Sequence, residues 1–258
     1  ESAFGYFKEI GERNMKLTKY LKHVFLAGAF LLAGCAEDGL DHQTLYEHYL
    51  NIAQRARETN NPEAALNLYK KAQQINSDDP RVYLGIATVH IDMKLLDAAL
   101  KDLEIAESHG ANRYELAYLR GKVYLLFGAL KKARAEFQKA NTPDCLNALG
   151  SMCDGEGNHE EAQRIYKQVI NKNPNYIEAY NNLGLSLLIS RKYKDAVFYL
   201  ENACSFPNTN STCRNNLALA YGMCRQMGKA RQVYSKDYEG AELEEKMARL
   251  EDMIAHRR

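Results

Sequence analysis

Small and large apolar residues return along this chain at a fixed distance. Alanines stand at Ala65, Ala99, Ala133, Ala162, Ala196 and Ala230, spaced by 34, 34, 29, 34 and 34 residues. Twelve residues before each is a small one: Ala53, Ala87, Gly121, Gly150, Gly184 and Ala218. Four residues after each is a large one: Tyr69, Leu103, Phe137, Tyr166, Leu200 and Tyr234. Within a unit the apolar positions fall at i, i+3, i+4 and i+7, which is helical spacing. In the fifth unit Tyr180, Leu183, Gly184 and Leu187 mark a first helix (helix A), and Ala196, Leu200 and Ala203 a second (helix B). A lone helix pair of this kind cannot bury its apolar face, so neighbouring units must stack. Small residues then let two helices approach, and the large residue fills the space between them. Prolines at 80, 174 and 207 punctuate the pattern, since proline cannot continue a helix.

In register and composition the units resemble the tetratricopeptide repeat. That resemblance implies an all-α, right-handed superhelix of antiparallel helix pairs, with about six units over residues 45–237. The spacing of 29 predicts a shortened connection at Asn141-Thr-Pro143 between the third unit and the fourth. Residues 238–258 read as a C-terminal capping helix, with Leu243, Met247, Leu250 and Ile254 on one stripe. Glu242–Lys246 and Glu245–Arg249 are placed to pair at i, i+4. His256, Arg257 and Arg258 suit a helix C-terminus.

The segment before the repeats follows another logic. From Met15 it runs through Lys16, Lys19 and Lys22, an apolar stretch at 24–32, then Ala33, Gly34 and Cys35. About ten apolar residues are too few to span a bilayer, which takes roughly 20, and the order is that of a secretory signal. A cysteine directly after Leu-Leu-Ala-Gly is what lipoprotein processing requires, because its sulfur takes the diacylglyceryl group before cleavage. The expected organisation is therefore an upstream extension and signal at 1–34, a lipidated linker at 35–44, then the repeats. Three acyl chains on Cys35 would hold the protein durably at a membrane. A buried helix with an incidental cysteine is the alternative. Residues 1–14 stand outside the signal pattern and read as an extension ahead of a start at Met15.

Charge narrows the partners. The chain has 34 Lys/Arg against 33 Asp/Glu, a formal +1. Residues 1–34 hold five Lys/Arg and three Glu, so the remainder carries −1. With no basic block and no aromatic-interleaved basic stripe, nucleic acid is excluded as the expected partner. GxGxxG, GxxxxGK[ST], CxxC and HExxH are absent, and the seven histidines are scattered. No cofactor, metal, small-molecule substrate or catalytic constellation is expected. Asp154-Gly-Glu-Gly157 falls where helix A of the fourth unit turns into helix B and reads as turn chemistry.

The candidate site is the face of helix A that such repeats turn inward. Three residues before the small position of the last three units stand Asn147, Asn181 and Asn215. Asparagine offers a donor and an acceptor, as an extended peptide main chain needs; the alternative is a solvated row. Leu185, Leu188, Ile189, Leu219, Gly222 and Met223 share that face. They read either as a seat for an apolar partner segment or as core residues. Among the remaining cysteines, Cys204 ends one helix and Cys213 begins the next, the most plausible bridge in an oxidising compartment. Cys145 and Cys153, eight apart on one helix, cannot readily reach each other.

Lipobox, repeats and the closing stretch Arg214-Asn-Asn-Leu-Ala-Leu-Ala-Tyr-Gly222 together resemble the TadD lipoproteins of the tight-adherence (Tad) machinery that assembles Flp pili. The resemblance covers nearly all of the chain after Cys35. It implies an outer-membrane lipoprotein facing the periplasm, anchored by its N-terminal lipid. It also implies a role as pilotin for the secretin, or as binder of another Tad component. Ala36, where aspartate would signal inner-membrane retention, agrees with outer-membrane sorting. Lipoproteins of type IV pilus biogenesis or outer-membrane assembly, or an adaptor tethering a peptidoglycan hydrolase, share the anchor and the repeats.

Overall fold

The computed structural model describes residues 41–207 and 209–256. Cys35, the lysines before it and the rest of the expected signal lie outside the described residues, as do Arg257 and Arg258. Among the described residues there are thirteen helices and no strand. They form two compact units that divide between Leu95 and Leu96.

The first unit holds α1 (His42–Glu58), α2 (Pro62–Ile75) and α3 (Pro80–Asp92). Local chemistry sets their starts. Asp41, Asn61 and Asp79 are N-caps whose side chains accept from backbone N–H groups, and Pro62 and Pro80 open their helices where no N–H is required. The core is tyrosine-rich: Tyr46, Tyr49 and Tyr69 are buried with Ala53, Ala65 and Val82. Arg81 clamps Glu47 through two hydrogen bonds of 3.1 and 2.7 Å, tying α3 to α1.

The second unit contains α4 (Leu96–Ser108), α5 (Arg113–Leu126), α6 (Leu130–Gln138), α7 (Pro143–Gly155) and α8 (His159–Lys172). It continues with α9 (Ile177–Ile189), α10 (Tyr193–Ser205), α11 (Ser211–Met223), α12 (Met227–Tyr234) and α13 (Gly240–Ala255). Here α5, α7, α9 and α11 are the A helices of repeats three to six, and α6, α8, α10 and α12 the B helices. Successive A helices touch one another and α13 packs on α11, whereas among the described residues no B helix touches the next B helix. The A layer is therefore the inner side of the bend in this unit.

All six repeat alanines are completely buried, and so are Ala53, Ala87 and Ala218. In repeats three to five the small residue is glycine, with the large residue pressed against it. A Cβ on Gly121, Gly150 or Gly184 would lie 2.4 Å from Phe137, 2.6 Å from Tyr166 or 2.4 Å from Leu200. Close approach and glycine thus require each other. Each A helix turns into its B helix through one left-handed residue, from Asn60 and Lys94 through Gly128 and Gly157 to Arg191 and Arg225.

Two expectations are corrected. The 29-residue spacing is not taken out of the connection. Residues 139–142 between α6 and α7 are as many as residues 109–112 between α4 and α5, and α6 itself has nine residues against thirteen in α10. Helix B loses a turn, and Phe137 stays fully buried because it lies within the part that remains. In α13, Met247 and Leu250 are buried and Leu243 and Ile254 pack beside them as the stripe implies, and Glu245 pairs with Arg249. Lys246, expected to pair with Glu242, lies over the ring of Tyr238 at 4.7 Å. Among the described residues no helix is long and apolar enough to cross a membrane.

Candidate functional site

Positions six before, three before, one after and four or five after the small residue share one face of helix A, because steps of three and four return to the same side. In repeats four to six this inner face is banded. Its first band holds Asp144, Glu178 and Thr212, and its second Asn147, Asn181 and Asn215. At the C-terminal end of α9 and α11 the third band is apolar. There Leu185, Leu188, Ile189, Leu219 and Met223 line a hollow of about 110 Å³ with apolar atoms alone. Five of the six apolar or small residues expected on this face line it together, while Gly222 lies against Leu250. Leu188 is 6% exposed and belongs to the core, while Ile189 is 58% exposed on the rim.

The asparagines form a ladder, though not the simple row of three. Asn182 Nδ2 donates to Asn147 Oδ1 at 3.1 Å, and Asn216 Nδ2 donates to Asn181 Oδ1 at 2.9 Å. Asn181 Nδ2 closes the chain on Asn182 Oδ1 at 3.4 Å. Asn215 is drawn elsewhere, its Nδ2 donating to the Tyr238 hydroxyl at 2.9 Å. Asn182 and Asn216 were missed from sequence, although the doublets at 181–182 and 215–216 carried the signal. The partners stand 35 apart, one repeat plus one residue. A primary amide has two donor hydrogens and two acceptor lone pairs. Each rung uses only part of that capacity, so the ladder can still meet a main chain.

At the N-terminal end of the same face, the Tyr176 hydroxyl donates to Asp144 Oδ1 at 2.8 Å. The Tyr118 phenol is pushed up first by burial and then by the negative charges of Asp144 and Glu178 nearby. Lys122 reaches over the Tyr118 ring at 5.6 Å. Two exposed carboxylates and two phenols thus border the asparagines on this side, with one cation beside them.

Asp154 does more than turn the chain. Its Oδ1 accepts from Ser186 Oγ at 2.7 Å and lies 2.8 Å from His159 Nδ1, while Oδ2 accepts from the Tyr166 hydroxyl at 3.1 Å. Gln163 Nε2 donates to Ser190 Oγ at 2.8 Å, and Lys192 donates to Gln163 Oε1 at 3.2 Å. This network joins α7, α8 and α9, tying the fourth repeat to the helix that forms one wall of the hollow. The serine faces the carboxylate and not the imidazole, so the group is not a nucleophile–base pair. Cys145 and Cys153 are buried on α7. Cys204 and Cys213 carry free thiols whose sulfurs lie 2.6 Å apart.

Three family models, each described as tetratricopeptide repeat, match residues 56–112, 143–176 and 165–198. With the helix pairs above, they make this an all-α chain built from tetratricopeptide repeats, the architecture of a protein-binding scaffold. A search of the curated proteins gives no match. Among solved structures, PilF of Pseudomonas aeruginosa aligns at 13% identity and TM-score 0.60, over 81% of this chain and 99% of that one. A tetratricopeptide repeat protein from Parabacteroides merdae aligns at 15% identity and TM-score 0.60, over 95% and 98%. Yeast Tom70 aligns at 14% identity and TM-score 0.66, over 82% of this chain and 47% of that one. At such identities the likeness is one of fold alone.

Proposed function

We propose that the protein is an outer-membrane-anchored scaffold of Flp pilus assembly by the Tad machinery, acting as pilotin for its secretin. Its inner A face holds a segment of the partner polypeptide, and the lipid on Cys35 carries the pair to the outer membrane. The lipobox, the repeats and the Arg214–Gly222 stretch support the Tad assignment at the level of sequence, and Ala36 agrees with outer-membrane sorting. The observation that carries the binding reading is the apolar hollow of α9 and α11 beside the asparagine ladder. An open apolar surface loses about 25 cal/mol for each Å² left in water, and a partner's side chain would cover it. Hydrogen-bonding groups next to the hollow can hold a main chain while the hollow takes a side chain.

The test is to replace Ile189→Asp and Met223→Asp together. Neither side chain is among the fully buried ones, so the fold should survive, which far-UV circular dichroism checks. Co-purification of the secretin and the level of its multimer should both fall at least tenfold. Unchanged values in a folded variant would remove the groove from the mechanism.

A further inference from the structure

Resting on the groove reading above, we infer the chemistry of what occupies it: an extended polypeptide segment carrying one branched aliphatic side chain and, three to five residues away, a lysine or arginine. The hollow is too large for a single water, whose share of liquid is about 30 Å³, and smaller than the roughly 150 Å³ of a cavity that takes benzene. Its volume of about 110 Å³ therefore fits one aliphatic side chain. All five lining residues are apolar, so a polar group entering would lose its hydrogen bonds to water without replacement. That excludes a charged or amide side chain from this position.

The basic residue follows from the charge at the other end of the same helices. Asp144 and Glu178 are exposed six residues before the small positions of repeats four and five, with the Tyr118 and Tyr176 rings beside them. A cation there meets two carboxylates bordered by two phenols, a combination that attracts ammonium or guanidinium groups. Lys122 over Tyr118 is the cation already on this part of the face, and it leaves the local balance negative. The sixth repeat carries neutral Thr212 at the equivalent position, so the base lies toward repeats four and five.

Helix geometry sets the spacing. Glu178 precedes Leu185 by seven residues and Ile189 by eleven. At about 1.5 Å of rise per residue this is roughly 10–17 Å. An extended chain advances about 3.3 Å per residue, so it covers the distance in three to five residues. Between the two ends it crosses Asn181, Asn182 and Asn216, whose amides face its main chain.

The test uses the full chain, immobilised, and a phage-displayed library of random dodecapeptides as probe. Selected peptides should share a Leu, Ile or Val with a Lys or Arg three to five residues away. Their binding should be lost with Ile189→Asp/Met223→Asp and fall about three- to tenfold with Asp144→Asn/Glu178→Gln, more at low salt than at high. Peptides that need Ile189 but share no basic residue, or that bind Asp144→Asn/Glu178→Gln unchanged, overturn the inferred chemistry and leave the groove reading standing. Selected peptides indifferent to Ile189→Asp/Met223→Asp, or no selected peptides at all, overturn the groove reading itself.

Discussion

Gly184 and Leu200 give the sharpest test of why the sequence takes this fold. A Cβ on Gly184 would stand 2.4 Å from Leu200 Cγ and 2.8 Å from its Cδ2. Leu200 is fully buried in the core of the second unit, so Cγ cannot swing aside without moving its neighbours. Gly184→Ala therefore overpacks the α9–α10 contact, at a cost of about 1–3 kcal/mol. Against that, alanine gains up to about 1 kcal/mol of helix propensity over glycine. The net expectation is destabilisation by about 1–2 kcal/mol. Leu200→Ala alone opens a cavity and costs about 2–5 kcal/mol. Once the leucine is gone the new methyl meets no obstacle, so Gly184→Ala should become stabilising by up to about 1 kcal/mol. The same substitution changes sign with its background, and the coupling between the sites equals the overpacking cost of about 1–3 kcal/mol. Urea titration of the four proteins by far-UV circular dichroism reads this directly. With m near 2 kcal/mol/M, Gly184→Ala should move the midpoint down by about 0.5–1 M in the wild type and up slightly in Leu200→Ala. Additivity within about 0.5 kcal/mol would mean that the glycine is not there to admit the leucine.

Two further outcomes follow from the C-terminal repeats. Arg214 donates to both carboxylate oxygens of Asp237 and to Thr209 O, and the pairing holds the Asp237 carboxyl below its usual value. A depressed carboxylate contributes stability that is present above the unfolded pKa of about 3.9 and is lost as pH falls through the folded value. Arg214→Gln should thus cost about 1 kcal/mol at pH 7, given partial exposure of both groups. The gap to wild type should close as pH falls below the unfolded carboxylate value in urea titrations, and a gap of constant size across pH would refute the assignment. Cys204 and Cys213 should join under mild oxidant, which peptide mapping by mass spectrometry detects as a linked 204–213 pair. The ten-residue loop should add about 3 kcal/mol to stability on the loop-entropy account. Recovery of both as free thiols after diamide treatment would exclude the bridge.

What could be read from sequence was whatever steric necessity repeats. Ala65, Gly150 and Leu200 announce helix pairs because close packing admits few alternatives, and the same 34-residue period placed Leu185, Leu188, Ile189, Leu219 and Met223 on one helix face, where they line a common hollow. Hydrogen bonds across repeats were not legible, because Asn182 reaches Asn147 only through the registry of neighbouring helices, which no local pattern encodes. Asp154 looked like a turn residue for the same reason: its partners Ser186, His159 and Tyr166 lie 32, 5 and 12 residues away. The missing five residues before Ala162 were visible as a number, but not that helix α6 rather than the loop would give them up. A buried Phe137 sets the minimum length of that helix, and only packing shows it.

The central claim is that the inner face of the C-terminal repeats holds another polypeptide, and crosslinking inside cells tests it most directly. A photoreactive amino acid is placed at Ile189 on the rim of the hollow, or at Lys167 on the exposed side of α8. After irradiation, the adducts of the protein are identified by mass spectrometry. The account predicts a secretin adduct from Ile189 and none from Lys167. A secretin adduct from Lys167 alone, or adducts from neither position in cells that assemble pili, would contradict it.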